Sequence, residues 1–99
     1  EEDIRRLESG NTEEIGDFNT MNSNALIGHD TKLGDNNFIA GHTCIGSNLC
    51  IGNGNFMGLN CCIRNFAKIG DYNLIGMAAN VLKDVGSNSV LVGNPAKIK

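Results

Sequence analysis

The sequence predicts an all-β fold: a parallel β-helix of six-residue repeats, about four coils long. Three observations predict it. Large aliphatic residues recur every six positions, glycine usually follows them, and a residue that is mostly small or polar stands four places on.

The period comes first. Stepping by six from Ile15 gives Ile15, Met21, Ile27, Leu33, Ile39, Ile45, Ile51, Met57, Ile63, Ile69, Ile75 and Val81, with no gap. About a quarter of the chain is Ile, Leu, Val or Met, so chance agreement at all these positions is on the order of one in ten million. An α-helix needs a period of 3.6 and a lone strand a period of 2, and a period of six fits neither. It fits a triangular coil of 18 residues, in which each hexad supplies a short strand and a corner and the aliphatic side chain points inward. Coils then stack at roughly 4.8 Å, the parallel-strand spacing.

The second and third observations concern the corners. Glycine follows the aliphatic at Gly16, Gly28, Gly34, Gly46, Gly52, Gly58, Gly70 and Gly76. Small or polar residues stand four places on, as at Ala25, Thr31, Thr43, Cys61, Ala67 and Ala79. Glycine and asparagine tolerate positive φ, so the glycines and the dense asparagines (Asn22, Asn24, Asn36, Asn37, Asn53, Asn55) are both expected to relieve corners.

The organisation follows from the register. Residues 15–86 form the coils. Residues 1–14 are charged and off-pattern; they read as a linker or a short helix with Ile4 and Leu7 on one side before Gly10. Residues 87–99 read as a strand, Val90-Leu91-Val92, and a tail in which Pro95 is expected to stop regular structure.

A chain of 99 residues makes one small domain. It buries little surface alone, so oligomerisation is expected. The net charge of −3 argues against nucleic acid as a partner. No apolar stretch approaches ~18 residues, so no membrane span is expected. No secretory signal is visible, and the expected compartment is cytoplasmic. The chain opens on Glu1-Glu2, as the C-terminal piece of a longer protein would.

Stacking by 18 turns the sequence into columns. Phe38, Phe56 and Leu74 share one, as do Cys44 with Cys62, Lys32 with Cys50 and Lys68, and Ser23 with Gly41, Leu59 and Met77. The Phe column is an apolar ladder, read here as a subunit contact because a monomer rarely leaves such a ladder wet. The four cysteines read as buried free thiols rather than disulfides, since no secretion signal accompanies them. A zinc site is disfavoured, because Cys61 and Cys62 are adjacent and should point in different directions.

Two histidines are candidates for a base working near neutral pH. His29 is followed by Asp30, a carboxylate able to orient the ring. His42 has no acidic neighbour in sequence and lies between Asn24 and Asn60 in its column.

From Asn24 to Lys97 the chain resembles the hexapeptide-repeat sugar acyltransferases, in particular the sialic acid O-acetyltransferase and bacillosamine N-acetyltransferase family. The resemblance rests on the hexads, on His29-Asp30 ahead of Leu33-Gly34-Asp35, and on the ending Val92-Gly93-Asn94-Pro95-Ala96-Lys97. It implies a left-handed winding, contrary to the usual right-handed crossover, and a homotrimer with active sites between neighbouring coils. It also implies acetyl-CoA as co-substrate and a sugar or nucleotide-sugar acceptor. His29 would be the general base and Asp30 its partner. The carrier would meet Phe38, backbone amides in the Gly41, Leu59 and Met77 column, and Lys97. Two departures stand out. Phe38 occupies a position where the family often has a second histidine near the thioester. Many members also carry an N-terminal nucleotide-sugar-binding α/β domain, where this sequence has only the 14 residues before the coils.

Two other functions share the fold. A γ-type carbonic anhydrase needs three histidines around zinc, and this chain has two. A non-catalytic trimerisation scaffold is the alternative to the enzyme, since fold does not imply function.

Overall fold

The structure, a computed structural model, describes residues 14–99. The helix or linker read around Ile4 and Leu7 lies outside these residues. The first coil carries β1 (Glu14–Ile15), β2 (Thr20–Met21) and β3 (Leu26–Ile27). The second carries β4 (Lys32–Leu33), β5 (Phe38–Ile39) and β6 (Cys44–Ile45). The third carries β7 (Cys50–Ile51), β8 (Phe56–Met57) and β9 (Cys62–Ile63). The fourth carries β10 (Lys68–Ile69), β11 (Leu74–Ile75) and β12 (Asn80–Val81), followed by β13 (Val90–Val92) and β14 (Lys97–Ile98).

These strands stack into three sheets. Face 1 runs β1-β4-β7-β10, face 2 runs β2-β5-β8-β11-β13-β14, and face 3 runs β3-β6-β9-β12. All pairings are parallel except the last, between β13 and β14. The result is an all-β solenoid of about four turns. The register is the one that the period requires: Leu33 faces Ile51, Ile39 faces Met57, and Ile45 faces Ile63. Within each strand the aliphatic points inward and its predecessor outward, because successive strand residues alternate sides. Ile27, Ile39, Met57 and Ile75 are completely inaccessible. Burying each such side chain is worth about 1.5–3 kcal/mol.

The fourth coil is shorter. Val85 bridges Ile69, so the corner after Val81 has lost two residues. The Asp84 carboxylate accepts the Lys68 N–H at 3.0 Å and closes that tighter corner.

The corners depart from the sequence reading in two ways. The left-handed conformation does not fall on the hexad glycines. It falls two residues later, on Asn24, Asp30, Asn36, His42, Asn48 and Asn60 among others, with φ of 59–63°. The hexad glycines serve close approach instead. A Cβ on Gly34 would stand 2.6 Å from the Gly52 carbonyl oxygen and would collide with the Asn53 side chain. Gly54, two residues after the hexad glycine Gly52, stands in the left-handed column itself, at φ 69°, and the Tyr72 ring covers it so closely that a Cβ would have no room.

The asparagines divide into two classes. Those at left-handed positions are turn formers. Asn37, Asn55 and Asn73 are instead buried and stack on one another at the corner between faces 1 and 2. Asn55 Oδ1 accepts the Asn73 N–H at 2.9 Å, and its Nδ2 donates to the Gly70 carbonyl at 2.9 Å. The Asn55 N–H donates to Asn37 Oδ1 at 2.8 Å. Each amide thus satisfies corner groups that would otherwise be buried without partners, a cost of about 1–3 kcal/mol each.

Two further expectations are corrected. Regular structure does not stop at Pro95. The chain reverses through Gly93–Ala96 and resumes as β14, with Lys97 opposite Val92; the proline sits in the turn, where its missing N–H costs no ladder bond. All four cysteines are thiols, as expected, but only Cys61 is buried; Cys44, Cys50 and Cys62 are exposed. The three exposed ones occupy the strand position just before the inward aliphatic, which alternation turns outward. Burial pushes the Cys61 thiol up to about 11, against a lowering by its hydrogen bond with Thr43.

Candidate active site

The three corners have different chemistry. The first, between faces 1 and 2, carries Asp17, Asp35, Asn53 and Asp71 two residues after the aliphatic. Each backbone N–H there donates to the side chain one coil on: Asp17 to Asp35, Asp35 to Asn53 and Asn53 to Asp71, at 2.7–2.8 Å. The second corner, between faces 2 and 3, places Ser23, Gly41, Leu59 and Met77 at the equivalent position. Their stacking is fixed by backbone bonds: the His42 N–H donates to the Ser23 carbonyl, Asn60 to Gly41 and Ala78 to Leu59. Leu59 and Met77 are apolar and glycine has no side chain, so this column has no carboxylate or amide to engage the N–H groups of Gly41 and Leu59. Gly41 is buried, and a Cβ there would stand 3.2 Å from the Ser23 oxygen. Met77, by contrast, is 71% exposed.

The third corner, between faces 3 and 1, holds His29 and Asp30. It is braced against the second coil. The Gly28 N–H donates to the Ile45 carbonyl at 2.9 Å, the Asn48 N–H to the His29 carbonyl at 3.0 Å, and the Thr31 hydroxyl to the Gly46 carbonyl at 2.9 Å. On this fixed backbone Asp30 takes a left-handed φ of 59°, and its Oδ2 lies 3.1 Å from His29 Nδ1. Both side chains remain about half exposed. A proton on Nδ1 held by the carboxylate leaves Nε2 as the acceptor for a proton from solvent or substrate.

The residues singled out in the sequence therefore divide. His29 and Asp30 meet at the third corner. Gly41, Leu59 and Met77 line the second. Phe38 lies on face 2, stacked on Phe56 with ring centroids 5.0 Å apart. Lys97 is exposed on β14, at the far edge of face 2. His42 stands at the second corner, at φ 60°. Within one chain, the width of face 3 separates the His29–Asp30 pair from the Gly41 column.

Two features went unread in the sequence. The first corner carries exposed aromatics, Phe18 at 85% and Tyr72 at 65%; stepping by 18 through Phe18, Asn36, Gly54 and Tyr72 was the available signal. Face 1 is an open groove of about 700 Å³ over Leu33, Ile51 and Ile69. No periodicity announces that a flat strand face is concave.

Comparison with solved structures decides the fold's relations. Perosamine N-acetyltransferase from Caulobacter crescentus matches with a TM-score of 0.86 and 25% identity, over 88% of this chain and 41% of that one. Serine acetyltransferase from Neisseria gonorrhoeae matches at 0.84 and 26%, over 89% and 38%. UDP-N-acetylglucosamine O-acyltransferase from Moraxella catarrhalis matches at 0.86 and 33%, over 88% and 34%. The structural neighbours are hexapeptide-repeat acyltransferases. The chain spans 34–41% of the length of these three neighbours. No family model and no curated protein matches it. The perosamine enzyme was solved with CoA and GDP-perosamine, and a hexapeptide-repeat acetyltransferase of Vibrio cholerae with acetyl-CoA. Among the described residues, no helix is long and apolar enough to cross a membrane.

Proposed function

We propose that this chain is the acyl-transfer module of an acetyl-CoA-dependent acetyltransferase acting on an amino or hydroxyl group of a sugar, a nucleotide-linked amino sugar being the favoured acceptor. The observation that carries the proposal is the His29 Nδ1–Asp30 Oδ2 contact of 3.1 Å on a braced corner. Its support is the company of CoA-bound hexapeptide-repeat neighbours.

The chemistry follows from the pair. His29 Nε2 takes the proton as the acceptor's nitrogen or oxygen attacks the thioester carbonyl. Asp30 holds the ring and stabilises the imidazolium. The tetrahedral intermediate collapses, the C–S bond breaks, and the CoA thiolate leaves with the proton returned by His29. The carrier lies along the second corner, donated to by the Gly41 and Leu59 amides, passes Met77, and approaches Lys97 at the end of face 2. Phe38 gives its thioester end an apolar contact.

Since the base and the carrier column sit at different corners, the site is completed by a second protomer. We place the apolar ladder of face 2 in the groove of face 1 of the next copy, in a homotrimer with the first corner at its axis. Phe18 and Tyr72 are then covered, and the stems of Lys32 and Lys68 pack over the ladder's rim. This arrangement brings the Met77 corner of one protomer beside the His29 corner of its neighbour.

Calorimetry with acetyl-CoA, followed by turnover of a panel of amino-sugar nucleotides, tests the reading. Saturable binding with transfer to at least one acceptor is expected. Absence of acetyl-CoA binding would leave a non-catalytic scaffold.

A further inference from the structure

Face 3 carries no part of the proposed site, yet it displays the densest cluster of soft donors in the molecule. Its outward ladder runs Leu26, Cys44, Cys62, Asn80. Cys44 and Cys62 are direct partners on adjacent parallel strands, both exposed and neither in a disulfide. In-register parallel neighbours project their side chains side by side, about 4.8 Å apart. A disulfide would need the two Cβ atoms to converge to about 3.8 Å and the sulfurs to about 2.05 Å. A metal ion needs no convergence. Two metal–sulfur bonds of about 2.3 Å, laid end to end, span close to one strand spacing.

We infer that Cys44 and Cys62 form a two-coordinate site for a soft monovalent d¹⁰ ion, copper(I) being the chemically favoured occupant. Thiolates select soft ions over hard cations, and two of them alone suit an ion that is satisfied by two ligands. Among the described residues no three His, Cys, Asp or Glu side chains converge, which leaves zinc without the set it requires. Binding one copper(I) displaces a proton from each thiol and gives a bis-thiolate complex of charge −1. Arg64 lines the same shallow concavity as both sulfurs and supplies the compensating charge. Leu26 stands beside Cys44 in the same outward ladder. Because face 3 lies outside the proposed subunit contact, the site is open in the trimer as well.

The test is anaerobic titration of the fully reduced chain with copper(I), in competition with bathocuproine disulfonate, with protons counted. One copper per chain and two protons per copper are expected. Cys44→Ser and Cys62→Ser should each weaken binding at least 100-fold, while Cys50→Ser, on face 1, leaves it unchanged. Cys62→Ala replaces Cys62→Ser if circular dichroism shows that the serine variant has lost its fold. Undiminished copper binding in folded variants of either face 3 cysteine would overturn the site, as would its loss in Cys50→Ser or its absence from the wild type.

Discussion

At the scale of single residues, the proposed chemistry rests on one dipeptide, and one cysteine reports on burial. Asp30 is held at a left-handed corner position, which turns its carboxylate back onto the preceding ring. Asp30→Asn keeps the size and a hydrogen-bonding group but removes the charge that stabilises an imidazolium. It should therefore reduce kcat by less than His29→Ala does, with little change in acetyl-CoA affinity, as read by steady-state kinetics and calorimetry. His42→Ala should stay near wild type in the same assay, since His42 lies at another corner without a carboxylate neighbour in sequence. Cys61 supplies a pH dependence. Burial raises it from the ordinary 9.0 to about 11, so above pH 9 the unfolded chain holds fewer protons than the folded one. The stability linked to this thiol is thus full below about pH 9 and is lost as pH rises towards 11. Urea melts should show a decline over this window that Cys61→Ala lacks. Thiol labelling at pH 8 should find Cys61 the slowest of the four.

At the scale of the element, the hexad is the unit and its register is rigid. Ile51 is buried in a narrow coil between Leu33 and Ile69. Ile51→Asp would place a carboxylate there without a partner; the variant should not fold, while Asp35→Asn, which keeps an oxygen for the Asp17 N–H, should be tolerated. Circular dichroism with thermal melts reads both. The asparagine ladder gives a finer test. Asn55→Ala strips partners from the Asn73 N–H and the Gly70 carbonyl and should cost roughly 1–3 kcal/mol for each group left buried; the exposed Asn48→Gly should cost only a few tenths. The period-six pattern made the strands, their register and every outward column legible in the sequence, because a repeat without gaps fixes which residues stack. The division of the asparagines was not legible from residue type. Asn36 and Asn37 are adjacent, yet one turns the backbone and the other satisfies buried carbonyls, and only the 18-residue column of Asn37, Asn55 and Asn73 separates them. The cysteines misled for a related reason: small size at a repeat position says nothing about the side of the strand, whereas the parity of Cys44, Cys50 and Cys62 against the inward aliphatics does. The His29–Asp30 pair was legible because adjacent residues at a corner meet without help from the rest of the fold. The face 1 groove was not, because it is a property of the whole sheet.

At the scale of the whole molecule, a single prism leaves Phe18, Tyr72 and the Phe56–Leu74 ladder exposed and keeps His29, the proposed base, apart from the Gly41, Leu59 and Met77 column. The proposed packing of face 2 against face 1 would relieve both. Light scattering at micromolar concentration should give the mass of three chains, and Phe56→Glu should shift it to one. The proposed passage of acetyl from CoA to a sugar acceptor, with His29 taking the proton, is read in the turnover of acetyl-CoA by the wild-type and His29→Ala proteins with an accepted amino-sugar nucleotide. His29→Ala should bind acetyl-CoA as before and lose roughly 10²–10⁴ in kcat; near-full turnover by His29→Ala, or activity that instead disappears in His42→Ala, would rule out His29 as the base.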